Sequence, residues 1–282
     1  MLLRLFTTAT ALFLLLLGAK RRRLRDGSVD LVYYRIGPEE GEPWLLLHGL
    51  GSVAVTWSPV MRALGRHGPV VVPELSTVGG SEVPGGSLGV AAGARIAATL
   101  IEKELPGRAV TVAGLSLGGW MATRLALARP ELVSRLVLID AAGYRRQNWN
   151  RIQRLVTIDD LAGVDRFYRA VFVHPPWQMR LSRAAFLRIY SSAAVRGALA
   201  ATTEADTFDD ADLRRLAMPT AVIWGEEDRL FAPRVARKIA AALPDAHLQI
   251  LAGCSHALHV EHPDRLVAAI EAFRREVPVD RV

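Results

Sequence analysis

The sequence predicts an α/β fold, a mostly parallel central sheet flanked by helices. Three observations carry that expectation. From about residue 28 onward, apolar runs of strand length alternate with helix-patterned segments. Several of these runs contain no polar alternate, as strands buried on both faces should. The chain has 282 residues, 51% of them hydrophobic and 22% charged, which is apolar mass for a large core and unlike a disordered composition.

In chain order, the first segment is an apolar run from Leu5 to Ala19 followed at once by Lys20, Arg21, Arg22, Arg23 and Arg25. Residues 1–25 read as an N-terminal hydrophobic anchor helix with a basic flank that would also attract anionic headgroups. The heavier positive flank lies C-terminal to the run, which places the rest of the chain on the cytoplasmic side. A cleaved signal peptide is the competing reading; the thin charge before the run and the Lys-Arg-Arg-Arg start after it count against that. This segment also explains the charge. Residues 1–26 hold six basic residues against Asp26, so of the formal +7 only +2 belongs to everything after it, and a nucleic-acid partner is not expected.

Strands are expected at 29–37, 43–49, 70–75, 109–114, 135–140, 220–225 and 247–253. Helices fit 87–105, 117–130 and 233–243, the last opening on a proline. Between residues 144 and 212 there is no good strand, only helix-like material such as 165–172 and 182–201. This stretch reads as a helical cap inserted into a core of residues 28–143 and 213–282, over the sheet edge where open α/β sheets bind ligands. A single cysteine, Cys254, rules out an intrachain disulfide and suits a reducing compartment.

The chemistry starts at "VTVAGLSLGGW", residues 110–120. Ser116 falls between a strand and a helix, with Gly114 and Gly118 two positions away on each side. That is the pattern of a nucleophile elbow, a strained turn that lifts a serine hydroxyl above a sheet. Loops after two later strands supply an acid and a base in the required order. Asp228 is the expected acid, with Glu226 and Glu227 as near rivals. Asp140 is a runner-up, better read as capping the cap connection. His256 is the expected base. His259 and His262 read as surface or helix-start residues, and His67, His174 and His247 as structural or exposed. No metal is expected, since no histidines pair with carboxylates or cysteine at ligand spacing. Oxyanion donors are expected from the backbone N–H groups of Leu117 and Leu50, with His48 bracing the second loop. In the cap, Phe167, Tyr168, Val171, Phe172, Trp177, Met179, Phe186 and Tyr190 offer apolar surface, and Trp177, Phe172, Phe186 and Tyr190 are the substrate-binding candidates. The cap arginines Arg166, Arg169, Arg180 and Arg183 face anionic headgroups or solvent.

Together "HGLG", "GLSLGG", "WGEED" and "GCSHALHVEHPD" resemble the α/β-hydrolase superfamily across the chain after about residue 28. Within it, the chain is most similar to the membrane-anchored monoacylglycerol lipase and esterase group. The resemblance implies a serine hydrolase cleaving lipid esters at a membrane surface through an acyl-enzyme, without a cofactor. Serine-dependent C–C hydrolases and amidases of the same fold are alternatives, as is a non-catalytic binding protein. Two departures stand out. Glu74 and Thr77 occupy positions where the family usually has aspartate and glycine, and Ser255 stands where a glycine commonly precedes the histidine.

Overall fold

The computed structural model describes residues 2–175, 177 and 183–278, with side chains from residue 8; Met179 and Arg180 of the expected cap surface lie outside the described residues. Eight strands form one sheet: β1 (Lys20–Asp26), β2 (Val29–Ile36), β3 (Trp44–Leu47), β4 (Val70–Pro73), β5 (Val110–Leu115), β6 (Val133–Ile139), β7 (Thr220–Gly225) and β8 (Ala246–Leu251). Their order is β1-β2-β4-β3-β5-β6-β7-β8. β1 and β2 pair antiparallel, as do β2 and β4, and every other pairing is parallel.

The continuous apolar runs divide by alternation between two cores. Leu45, Leu47, Val112, Leu136, Leu138 and Trp224 point to one face, where helices α3 (Val90–Glu104) and α4 (Leu117–Ala128) pack. Trp44, Leu46, Ala113, Leu115, Val137 and Ile223 point to the other, against α2 (Ser58–Leu64). Successive side chains leave a strand on opposite faces, so a central strand is apolar on both, apart from Thr111, Ser134, Arg135 and Thr220 toward the N-terminal ends of β5, β6 and β7.

The N-terminus departs from expectation. Helix α1 (Leu2–Leu16) has 15 residues, a length of about 22 Å, against the roughly 30 Å of a bilayer's hydrocarbon core. No helix among the described residues is long and apolar enough to cross a membrane, so the expected anchor span is not present. The cause is Gly18, at φ +88°. The N–H of Ala19 donates to Leu14 O at 3.0 Å and that of Gly18 to Leu15 O at 2.9 Å, a glycine-capped helix end that stops the run and turns the chain into β1. Leu14 is buried beside Ala54 and Trp57 on the sheet, while Leu12, Phe13, Leu15 and Leu16 stay exposed.

The basic cluster is likewise not a free flank but strand β1. Leu24 is its buried residue, Arg22 meets Glu104 at 2.8 Å, and Arg23 and Arg25 share Asp30 at 2.8 and 3.3 Å. Gly27-Ser28 closes the β1–β2 hairpin with Gly27 at φ +56°. The expected boundary after residue 25 therefore falls inside a strand.

The excursion from residue 144 to 212 is helical: α5 (Trp149–Val156), α6 (Leu161–Val171), α7 (Arg183–Tyr190) and α8 (Ala193–Ala200). Its ends meet, with Tyr144 bridging Phe208 and the Arg145 N–H donating to Phe208 O at 2.8 Å. The run expected as one helix over 182–201 is two, because Ser192 is extended (φ −69°, ψ 155°) and its hydroxyl accepts from Val195 N–H to start α8. A short helix, α9 (Asp210–Leu213), leads into β7; α10 (Arg234–Ala242), α11 (Leu258–Glu261) and α12 (Pro263–Glu276) complete the chain.

Candidate active site

Strand β5 runs into α4 through Ser116, whose backbone sits at φ 53°, ψ −117°. The position is over-determined: Ser116 N–H donates to Ile139 O at 3.0 Å, and its carbonyl accepts from Trp120 N–H at 3.1 Å and Ala142 N–H at 3.0 Å. A Cβ on Gly114 would lie 2.6 Å from Gly119 N, and one on Gly118 would lie 2.6 Å from the Leu47 carbonyl carbon. The two glycines allow the turn to fold back this tightly, so a strained conformation persists.

Asp228 follows β7, and its Oδ1 accepts from the N–H groups of Leu230 and Phe231 at 2.8 Å each. Oδ2 meets His256 Nδ1 at 2.9 Å. That bond puts the ring proton on Nδ1 and leaves Nε2 to receive one. The two loops are tied together by Glu227 N–H to Cys254 O at 2.8 Å, and the Phe231 ring packs edge-on against the imidazole at 5.1 Å. Ser116 and His256 line the same cavity, of about 890 Å³, with Asp228 buried behind the histidine. Glu226 and Glu227, the rival acids, are exposed.

The cavity lies between the C-terminal edge of the sheet and the cap. Leu50 and Leu117 line it, and the Leu117 N–H, first in α4, has no acceptor within its own helix. His48 is fully enclosed: Leu75 N–H donates to its Nε2 at 3.0 Å, and its Nδ1 donates to Gly49 O at 2.9 Å. Burial pulls its pKa down to about 4, so it is a neutral brace for the loop. Phe167, Val171, Phe172, Phe186 and Tyr190 of the cap line the cavity, whereas Trp177 lies outside it, 67% exposed. Phe186 and Tyr190 stack at 4.3 Å, and the Tyr190 hydroxyl donates to Leu50 O at 2.9 Å, tying the cap to the Leu50 loop. Arg183 pairs with Asp165 within the cap at 2.5 Å.

Three residues take places in or beside the site that the sequence did not mark. His259 stands at the start of α11, as a helix-start residue, and is half-buried; it also lines the cavity with its ring 6.3 Å from that of Trp57, and burial together with His256 lowers its pKa to about 3. Asp140 does not cap the cap connection but is buried against Asp228 and His256. Glu74 is buried, accepting from Ala54 N–H at 3.1 Å beside the Leu50 loop, and burial raises its pKa to about 7.

The Glu74 shift has a thermodynamic sign. Between its ordinary value of 4.5 and about 7 the folded chain keeps a proton that the unfolded chain releases, so stability falls as pH rises across that window. The loss is on the order of 3 kcal/mol, at about 1.4 kcal/mol per pH unit. Thermal melts from pH 4 to 8 should show a shallower decline for Glu74→Gln than for the parent; parallel curves would refute the assignment.

A second cleft, about 700 Å³, opens at the opposite edge of the sheet near Arg108, Pro130 and Ser134 and contains none of these groups.

Residues 44–269 match the family model described as "Alpha/beta hydrolase family". An uncharacterized protein of Mycobacterium tuberculosis is 30% identical over 261 residues, 83% of this chain and 75% of that one. Lipase 1 of Psychrobacter immobilis is 26% identical over 278 residues, 94% and 86% of the two chains. Among solved structures, a membrane phospholipase A described as a bacterial virulence factor superposes with a TM-score of 0.84 at 23% identity, covering 100% of this chain and 93% of that one. A hydrolase from Pseudomonas aeruginosa PA01 gives 0.73 at 26% identity, covering 90% and 98%.

Proposed function

The chain belongs to the alpha/beta hydrolase family and is a hydrolase, and from that premise we propose that it cleaves carboxylic esters, lipid esters such as monoacylglycerols among them, with Ser116 as nucleophile. The observation that carries this reading is the convergence of Ser116 and the Asp228-bound His256 on one apolar cavity. Ser116 Oγ attacks the ester carbonyl while His256 Nε2 takes its proton. Asp228 holds the imidazole in that tautomer and stabilises the imidazolium. The N–H groups of Leu50 and Leu117 receive the oxyanion, His256 returns the proton to the departing alcohol, and water activated by the same histidine releases the acid.

The apolar walls favour an acyl chain. A C–C hydrolase acting on a charged dienoate, as in the name of a relative 24% identical to this chain, needs cations along its substrate, and Arg188 is the only arginine or lysine among the described lining residues. Turnover of p-nitrophenyl esters and monoacylglycerols of graded length should rise toward medium or long acyl chains. A folded protein that turns over none of them would refute the ester reading.

Membrane contact belongs to the same proposal, as surface docking. Helix α1 packs against residues 54–57 and 77–79, which border the cavity, and presents Leu12, Phe13, Leu15 and Leu16 outward. On the reading of Cys254 as a reduced thiol, the membrane side is cytoplasmic. Leu12→Glu/Leu16→Glu should lose association with anionic vesicles while keeping turnover of a soluble ester; unchanged association would remove α1 from this role.

Tyr190 supplies a further expectation. Tyr190→Phe keeps the ring stack but frees Leu50 O, and one neutral hydrogen bond is worth about 1 kcal/mol. A fall in kcat of about fivefold with KM little changed is expected, read from initial rates on a soluble ester.

A further inference from the structure

Strand β6 ends at Ile139, and the next residue, Asp140, is held at φ +42° with no exposure to solvent. Side chains seldom adopt that backbone region, so the turn holds the carboxyl in a place an ordinary strand end would not reach. Its Oδ1 accepts from Gly225 N–H at 2.9 Å, at the end of β7. Its Oδ2 is buried with no hydrogen-bond donor. One oxygen of Asp140, one of Asp228 and a ring nitrogen of His256 all lie within 4.8 Å of one another. The single histidine base is thus faced by two carboxyl groups, delivered by two different strands.

We propose that Asp140 is a reserve orienting acid, a positioning residue held beside Asp228 that takes over the Nδ1–H of His256 when Asp228 is lost. This rests on the serine-hydrolase reading above.

The division of labour follows from the donors. Asp228 receives two backbone N–H groups and the histidine, whereas Asp140 receives one N–H. Two carboxylates this close in a dry site cannot both ionise cheaply, so the proton stays on the one with fewer donors. Burial first, and the Asp228 charge second, hold the Asp140 carboxyl well above its ordinary range. Its O–H then has Asp228 as the available acceptor, which accounts for the otherwise unpartnered Oδ2. Among the described residues His256 and Cys254, the latter on the loop after β8, also face it. A metal reading of the same three residues is weaker, because His256 Nδ1 faces Asp228 as a donor and Asp140 Oδ1 already accepts from Gly225 N–H.

Replacing Asp228 with asparagine removes the second of the two causes that hold the Asp140 proton and leaves the burial, so Asp140 ionises at a lower pH than it does beside Asp228. Once its proton has gone to solvent, the Asp140 carboxylate accepts from His256 Nδ1. Nε2 remains free to take the Ser116 proton, and no other group changes protonation.

The test is a double-mutant cycle on a soluble ester, with the full chain, following kcat, KM and thermal melting. Asp228→Asn should lower kcat by about 100-fold, less than the roughly 10⁴-fold usual when a triad aspartate becomes its amide. Asp140→Asn should lower kcat by clearly less than Asp228→Asn does, and the double variant should fall to the full loss of about 10⁴-fold, KM holding throughout. The residual activity of Asp228→Asn should also climb with pH as Asp140 ionises, a limb absent from the double variant. Equal kcat for Asp228→Asn and the double variant overturns the proposal, as does an Asp140→Asn that alone loses as much as Asp228→Asn. If Asp140→Asn fails to fold, Asp140→Ser takes its place in the cycle. Failure of the underlying reading looks different: the parent would then show no turnover that Ser116→Ala abolishes.

Discussion

Ser116→Ala is expected to lower ester hydrolysis by about a million-fold, to the level left by binding and oxyanion stabilisation alone, with the melting temperature unchanged. The size follows from the step that is lost. Without Oγ no acyl-enzyme forms, and His256 and Asp228, still correctly paired at 2.9 Å, have no hydroxyl to deprotonate. Stability is unaffected because the bonds that hold residue 116 are made by its backbone, to Ile139, Trp120 and Ala142, and alanine keeps them all. Alanine also keeps the Cβ and therefore the strain at φ 53°. Two readouts check this: initial rates on a soluble ester, and covalent labelling by a fluorophosphonate, which should vanish. A variant that still turns over at the parental rate would remove Ser116 from the reaction and the family's chemistry with it.

The sheet was legible in the sequence because burial on both faces leaves few polar positions, as in β3, β5, β6 and β7, and the elbow was legible because the two glycines flank a serine that falls between a strand and a helix. The proposed acid and base were placed by chain order. What was missed depended on contacts far along the chain or on a single residue's backbone. Strand β1 reads as a basic flank until its arginines are seen to meet Glu104 and Asp30. The Asp26-Gly27-Ser28 sequence was the available hairpin signal. Gly18 was the available helix stop within an apolar run that invited a longer helix. No local pattern announces that Asp140 lies against a side chain 88 positions later, since the contact is made by neighbouring parallel strands, β6 and β7. Trp177 was chosen for its apolar bulk, but a cap has an outer side as well as an inner one.

Glycine 118 offers the largest expected effect that reaches catalysis through the backbone. A Cβ there would press into the carbonyl oxygen of Leu47 and lie 2.6 Å from its carbon and 2.8 Å from His48 O. These are backbone atoms at the end of β3, so no side-chain rotamer change relieves the contact; either α4 or the Leu47–Leu50 segment must move. That segment carries one of the proposed oxyanion donors, and α4 begins with the other. Gly118→Ala should therefore cost about 3 kcal/mol of stability, the upper end for an overpacked site. It should also lower kcat by at least about 100-fold, the usual consequence of losing one oxyanion donor. Gly107→Ala is the matching control. Gly107 has φ +70° but nothing within 4 Å of an added Cβ, so it should cost about 1–2 kcal/mol of backbone strain and leave kcat alone. Thermal melts and kcat on the two variants separate strain from displacement. Parental kcat in a folded Gly118→Ala would mean that the donors are not held by this contact.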